Sequence, residues 1–416
     1  MSVKKITPVI MSGILLVSAL TISAYTGSQK TKTVATATAD TATFDNAPNA
    51  ISEKPEKEMR GVWVSYIELD MQNEAEQSEA AFKAKFESIA KTSKNAGFNT
   101  MIVQVRPFCD ALYNSQYFPH SHILTGEQGV NPKYDALKVM CEVCKAFELD
   151  IHAWVNPYRI STNDTPQELS ENNPYVIDSE LGVETESGIF LNPASQKARK
   201  LIVDGVVEIV ENYDVDGIQF DDYFYPTQDS NFDNTQYTEY VNTVGNMNCM
   251  SVDNWRLANV NTLICDTYRA IHKANADVDF GISPQGNIDN NKEIYADVKT
   301  WCICKGFVDY ICPQLYFSLD NPALTFENSL ESWTNISINK NVKLYVGLAG
   351  YKANSDADDG TWQYSSTVLA DEYKIAMQNE KVSGVMLYSY SALQDENAFE
   401  EISNLTKALN DSENLN

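Results

Sequence analysis

From Met59 onward the chain alternates strand-like and helix-like segments, and that alternation leaves few folds open to it. The strand-like runs are RGVWVSYI, NTMIVQVRP, IHAWVNPY, DGIQFDDYF, DFGISPQG, VDYICPQLYF, KLYVGLAGY and GVMLYSYSAL, eight in all. Between them lie segments such as EAAFKAKFESIAKTSKNAG, ASQKARKLIVDGVVEIVENYD and WRLANVNTLICDTYRAIHKA. Their apolar residues recur at three and four positions, the period of an amphipathic helix. NAFEEISNLTKAL closes the series. Eight strand-helix units predict an α/β fold, a (β/α)8 TIM barrel over residues 56–412 with parallel strands inside a ring of helices. A doubly wound sheet would place a glycine-rich phosphate loop after the first strand, where SYIELD stands instead.

The segment before the barrel has a different character. Lys4 and Lys5 precede the apolar run ITPVIMSGILLVSALTISAY, which reads as a signal peptide or N-terminal anchor over residues 1–30. Residues 31–55 are rich in Thr and Ala and read as a flexible linker. An exported chain is expected, outside the cytoplasmic membrane, touching that membrane only through an uncleaved anchor if one is kept. The formal net charge of -26 excludes nucleic acid as a partner, since phosphate binding needs clustered Lys and Arg. The eight cysteines read as small core thiols, with a disulfide or a zinc site as the competing assignments. CEVC at residues 141–144 has no matching second pair at finger-like distance, so neither metal nor cofactor is expected.

In a barrel of this kind the reacting groups stand at the C-terminal ends of the strands. The polar residues of this chain gather there. The first strand ends in Glu68 and Asp70, the second in Arg106 and Asp110, and the third in Asn156, Tyr158 and Arg159. The fourth ends in Asp221, Asp222 and Tyr223, and later strands end in Ser283 and Gln285, Gln314 and Tyr316, and Tyr388 and Tyr390. Side chains alternate along a strand, so His152, Trp154 and Asn156 share one face, as do Gln219 and Asp221. Asp221 is expected to face the barrel axis, with Asp222 turned to a loop or an adjacent strand end. Paired carboxylates beside aromatic rings suit sugars, whose rings stack on aromatic faces and whose bond cleavage needs two carboxyl groups. The competing structural reading has one Asp capping a loop and the other pairing with Arg106 or Arg159.

RGVWVSY, QVRPFCDALYNS, HAWVNPYR, DVDGIQFDDYFYP, FGISPQG and DYICPQLYF, in that order, together resemble the bacterial glycosyl hydrolase-like 10 family from about Met59 to about Ala392. The resemblance implies a barrel related to glycoside hydrolases, with envelope-associated members linked to cleavage of peptidoglycan glycan strands that lack stem peptides. The fourth-strand motif is also similar to that of the α-amylase superfamily, which implies Asp221 as nucleophile. Members of the family usually carry His at the position of Gln219 and Gly at that of Cys109. GISPQGNIDN offers no Glu after the fifth strand, so the proton donor is sought among Asp110, Asp222 and Glu68. Substrate contacts are expected from Arg106, His152, Trp154, Asn156, Tyr158, Arg159, Gln219, Tyr223, Gln285, Gln314, Tyr316 and Tyr388. The function expected is an exported glycoside hydrolase acting on a wall glycan or another polysaccharide; the alternatives are a carbohydrate-binding barrel without catalysis and a rigid scaffold. Long loops at 107–132, 159–193 and 226–252 are expected to wall the cleft.

The linker has too little apolar surface to dock. A chain starting at Ile51 is therefore expected to melt at the same temperature as one starting at Thr31, as measured by calorimetry.

Overall fold

The computed structural model describes residues 58–413; the expected signal or anchor and all of the linker lie outside them. Among the described residues eleven strands occur in chain order: β1 (Met59–Val64), β2 (Thr100–Arg106), β3 (Asp150–Val155), β4 (Arg159–Thr162), β5 (Gly182–Thr185), β6 (Gly188–Leu191), β7 (Gly217–Phe220), β8 (Asp279–Ile282), β9 (Tyr310–Ile311), β10 (Lys343–Ala349) and β11 (Val382–Tyr388). Eight of them close a parallel barrel in the order β1-β11-β10-β9-β8-β7-β3-β2. Each barrel strand falls within or beside one of the runs read from the sequence, so the expected (β/α)8 barrel is the observed fold. Among the described residues no helix is long and apolar enough to cross a membrane.

The inside of the barrel is filled by side chains. Trp63, Ile102, Trp154, Tyr310, Cys312, Tyr345 and Met386 form one buried cluster within it. Such large side chains fit because their neighbours on the inner face are glycines. A Cβ on Gly281 would lie 2.0 Å from the Tyr310 ring, and one on Gly217 would lie 2.5 Å from the His152 ring. Both are backbone positions where a methyl group cannot be absorbed without moving an aromatic ring. The barrel is also fastened where its first and last parts meet. The Arg60 guanidinium donates to the carbonyl of Leu409 at 3.0 Å, in the closing helix Phe399–Glu413.

Two features depart from the plain strand-helix alternation. Between Gln104 and Arg106 the β2–β3 register shifts, so Gln104 pairs with Trp154 and Arg106 with the outward Val155. The bulge turns Arg106 away from the axis. Its guanidinium lies over the Phe118 ring at 4.6 Å and against Gly205 of helix Gln196–Asn212. The expected substrate contact from Arg106 is thus corrected: the side chain is 1% exposed and packs between barrel and helix. Second, the segment after β3 is a small antiparallel sheet, β4-β6-β5, where only a loop was expected. Helix Asn234–Val244 lies in the segment after β7.

All eight cysteines lie among the described residues and are unpaired. Burial pushes the thiols of Cys109, Cys141 and Cys302 up to about 12, so they stay protonated and behave as small apolar groups.

Replacing Gly281 by Ala is expected to destabilise the protein by about 2–4 kcal/mol, because the Tyr310 ring has nowhere to retreat. Denaturant unfolding followed by tryptophan fluorescence measures this.

Candidate active site

The mouth of the barrel is built outward from Asp221. This residue directly follows β7, keeps the inward direction of Gln219, and is 3% exposed. Its Oδ2 accepts from the indole of Trp154 at 2.9 Å and from the side-chain amide of Asn156 at 3.2 Å. Its Oδ1 accepts the backbone N–H of Tyr223 at 3.3 Å. Asn156 is fixed in turn, since its Oδ1 accepts the backbone N–H of Arg159 at 2.9 Å. The Arg159 side chain donates from Nε to the carbonyl of Pro107 at 2.9 Å and lies between the rings of Phe108 (4.7 Å) and Tyr223 (5.3 Å). Tyr223 itself is 52% exposed.

Asp222 meets different partners. Its Oδ1 accepts from the Gln314 side-chain amide at 3.2 Å, while the same nitrogen donates to the carbonyl of Ser283 at 2.9 Å. Gln285 also bonds its carboxylate. The expected turn of Asp222 toward adjacent strand ends is what the structure contains, and those ends belong to β8 and β9. Near it stands Tyr316, whose ring packs with those of Tyr351 and Tyr388 at centroid distances of 5.8–5.9 Å.

Electrostatics separates the two carboxyls from ordinary surface Asp. Burial, then the charge of Asp222, pushes the Asp221 carboxyl up to about 7, against the pull of Arg159 and the Trp154 hydrogen bond. Asp222 is also raised, by burial, with the Gln314 and Gln285 amides opposing. Two neighbouring buried carboxyls do not both ionise freely, and Asp221 is still partly protonated at neutral pH.

Below the pair the barrel is sealed. Gln219 is wholly buried; its amide oxygen accepts from the Trp63 indole and its nitrogen donates to the Tyr310 hydroxyl at 3.2 Å. Tyr310 shares a hydrogen bond with His152 Nδ1 at 3.0 Å, and burial pushes that imidazole down to about 4, leaving it neutral. Gln219 and His152 are therefore a polar core under the site rather than substrate contacts. Tyr158 is likewise corrected: it is 1% exposed and packs in the main apolar core. Trp154 and Asn156 face the mouth, but their polar groups are spent on Asp221.

Of the proton donors weighed from sequence, two are occupied elsewhere. Asp110 is 0% exposed, within hydrogen-bonding distance of His122 (3.2 Å) and accepting from Gln128 (3.1 Å), which locks the loop after β2. Glu68 accepts from the backbone N–H and hydroxyl of Ser65, the hydroxyl of Ser389 and the N–H of Ser391. It staples the ends of β1 and β11 together. Asp222 is the candidate that remains at the mouth beside Asp221. Sequence reasoning missed Tyr351 and Trp63, although GLAGY and RGVWVSY place both at strand ends.

Comparison with known proteins accords with this geometry. The family model Glycosyl hydrolase-like 10 matches residues 58–364. The chain belongs to that family. Within it, the chain is similar to Glycosyl hydrolase YngK of Bacillus subtilis (strain 168), 33% identical over 84% of this chain and 71% of the relative. It is also similar to Glycosyl hydrolase DigH of Escherichia coli (strain K12), 28% identical over 82% of this chain and 85% of the relative. Among solved structures, the PgaB (BpsB) glycoside hydrolase domain from Bordetella bronchiseptica superposes with a TM-score of 0.56 at 9% identity, covering 85% of this chain and 99% of that one. An alpha-L-fucosidase from Paenibacillus thiaminolyticus also gives 0.56 at 12% identity over 86% of this chain, which spans half of the fucosidase. These structural likenesses concern the fold. Family membership and fold together make this barrel a glycoside hydrolase, as the sequence motifs imply.

The sign of the Asp221 effect on stability follows from its environment. In the folded protein it keeps its proton up to about pH 7, whereas an unfolded chain releases it near pH 4. Stability from this group is full below about pH 4 and falls as pH rises toward 7. Asp221→Asn is thus expected to gain ~1–3 kcal/mol over the parent at about pH 8 and almost nothing at about pH 4. Urea melts at the two pH values measure the difference.

Proposed function

We propose that this protein is an exported hydrolase that cuts bacterial wall glycan strands from which the stem peptides have been removed. The observation that carries the reading is the pair of adjacent carboxyls at the mouth, held by unequal partners beside a shelf of tyrosines. A pair whose environments differ can divide acid and base roles at one pH. Asp221, the more deeply buried, keeps a proton and serves as the general acid for the departing sugar oxygen. Asp222, held by two amides, is the anion that faces the positive charge developing at the anomeric carbon. This exchanges the nucleophile role that the α-amylase resemblance implies for Asp221, because a carboxyl that keeps its proton to about pH 7 is a better donor than nucleophile.

Tyr223 and Tyr388, with Tyr316 between Asp222 and Tyr388, supply faces and hydroxyls for sugar rings. Gln285 and Gln314 set Asp222 and border the same space. Arg159 puts a positive charge beside Tyr223, where the carboxylate of a muramic acid freed of its peptide would find a partner. Residues 1–30, read as a signal or anchor, and 31–55, read as a linker, would carry the barrel to that substrate. The names of the relatives, glycosyl hydrolases of two bacteria, support the same reading.

The test is release of reducing ends from purified glycan strands with and without stem peptides. The parent is expected to cut the stripped strands preferentially. Asp221→Asn and Asp222→Asn are each expected to lower kcat by about 10²–10⁴-fold with the melting temperature kept or raised. An activated aryl leaving group should restore part of the Asp221→Asn loss, since such a group departs without a proton, and none of the Asp222→Asn loss. Strands that bind but are never cut, at any pH, would favour the non-catalytic carbohydrate-binding reading.

A further inference from the structure

Hydrolysis through a covalent sugar-enzyme intermediate requires two carboxyls that approach the anomeric centre from different sides. Here both reactive carboxyls come from consecutive residues at the end of one strand. Across the mouth, Asp358 in the segment after β10 is held by the Lys352 ammonium and the Trp362 indole. In the barrel order, β11 stands opposite β7, flanked by β1 and β10. These strands bring Tyr388 and Tyr351 to the rim. The carboxylate on that side, Glu68, is consumed by its four bonds to Ser65, Ser389 and Ser391. Asp110 is sealed into the loop after β2. With these carboxylates engaged, a sugar that carries its own nucleophile needs from the protein only the Asp221–Asp222 pair.

We propose that cleavage is substrate-assisted: the carbonyl oxygen of a 2-acetamido group attacks the anomeric carbon of its own sugar, Asp222 takes the acetamido N–H, and Asp221 protonates the departing oxygen. The inference rests on the hydrolase reading above and narrows its substrate to glycans of 2-acetamido sugars. Asp222 suits this role because the Gln314 amide holds its Oδ1, which fixes the carboxylate for the N–H of the substrate. The rings of Tyr316, Tyr351 and Tyr388 pack on one another at 5.8–5.9 Å and present apolar faces against which an acetamido methyl would rest. Asp222 sits close enough to Tyr316 for its charge to bear on that hydroxyl.

The step balances without any added reagent. As the carbonyl oxygen bonds to C1, the glycosidic C1–O bond breaks and its electron pair leaves on oxygen, which takes the proton of Asp221. The amide proton passes to Asp222, and the sugar becomes a neutral oxazoline. Water then attacks C1 and gives one proton to the Asp221 carboxylate. The bond from C1 to the acetamido oxygen breaks, and Asp222 returns its proton to nitrogen. Both carboxyls end as they began, and the configuration at C1 is retained through two inversions.

The experiment compares three glycan strands lacking stem peptides: native, N-deacetylated, and N-trifluoroacetylated. Fluorine withdraws electrons from the carbonyl oxygen with little change in shape. If the acetamido group is the nucleophile, kcat/KM on the trifluoroacetylated strand falls by about 100-fold or more, and the deacetylated strand is not cut, while both still bind. The thiazoline of N-acetylglucosamine, a stable mimic of the oxazoline, should inhibit the parent, and Asp222→Ala should weaken that inhibition at least about tenfold. Cutting of the trifluoroacetylated strand within about threefold of the native rate overturns the inference, as does a 2-deoxy-2-fluoroglycosyl adduct found on Asp221 or Asp222 by mass spectrometry. In either of those cases the hydrolase reading stands. If the native strand is left whole, the hydrolase reading itself falls and this inference with it.

Discussion

Everything at the mouth depends on how the interior of the barrel is filled. An eight-stranded barrel has room inside for side chains and nothing else, so a large group from one strand must face a small one from its neighbour. Gly281 yields to Tyr310 and Gly217 to His152. With those rings in place, the hydroxyl of Tyr310 reaches both His152 and Gln219, and Gln219 reaches the Trp63 indole. That polar column is neutral and fully buried. It forms a rigid floor on which Asp221 stands, excluded from water yet hydrogen-bonded by Trp154 and Asn156. The raised affinity of Asp221 for its proton is thus a consequence of packing several residues below it.

The same floor explains why a glutamine can stand where the resembled family usually carries histidine. At this depth an imidazole would lose its charge to burial, as His152 does one layer lower. An amide offers the donor and the acceptor that Trp63 and Tyr310 require, without a titration of its own. What the site does with pH is then governed by the carboxyl pair above rather than by the column beneath.

Much of this was legible in the sequence because strand periodicity is a local property. The alternation of Gln219 and Asp221 fixes which Asp faces the axis, and the eight apolar runs fix the barrel. Other features were not local. A single-residue bulge after Gln104 reversed Arg106, and nothing in QVRP marks the bulge. Tyr158 lies three residues beyond β3, where strand alternation no longer says which way a ring points. Asp110 and Glu68 read as free acids, since the groups that occupy them, Gln128 for one and Ser389 and Ser391 for the other, are distant in the chain or reached only by closing the barrel. The β4-β6-β5 sheet was hidden for another reason: its strands are four residues each, too short for periodicity to register.

The Glu68 staple has a mechanical meaning. A barrel made from an open chain has a seam between its first and last strands, and here β1 and β11 are joined by a ladder of four residue pairs, clasped at the mouth by Glu68. A hoop closed in this way has no weak stave at its seam. The thin stave is elsewhere: β9 is two residues long and pairs with β8 and β10 over two residues each. It leads directly to Gln314, which holds Asp222. Bridges from Gln314 to Gln285 and to Gly347 carry the pairing on past β9, so the short stave is sewn to both neighbours at the level where the reacting pair stands.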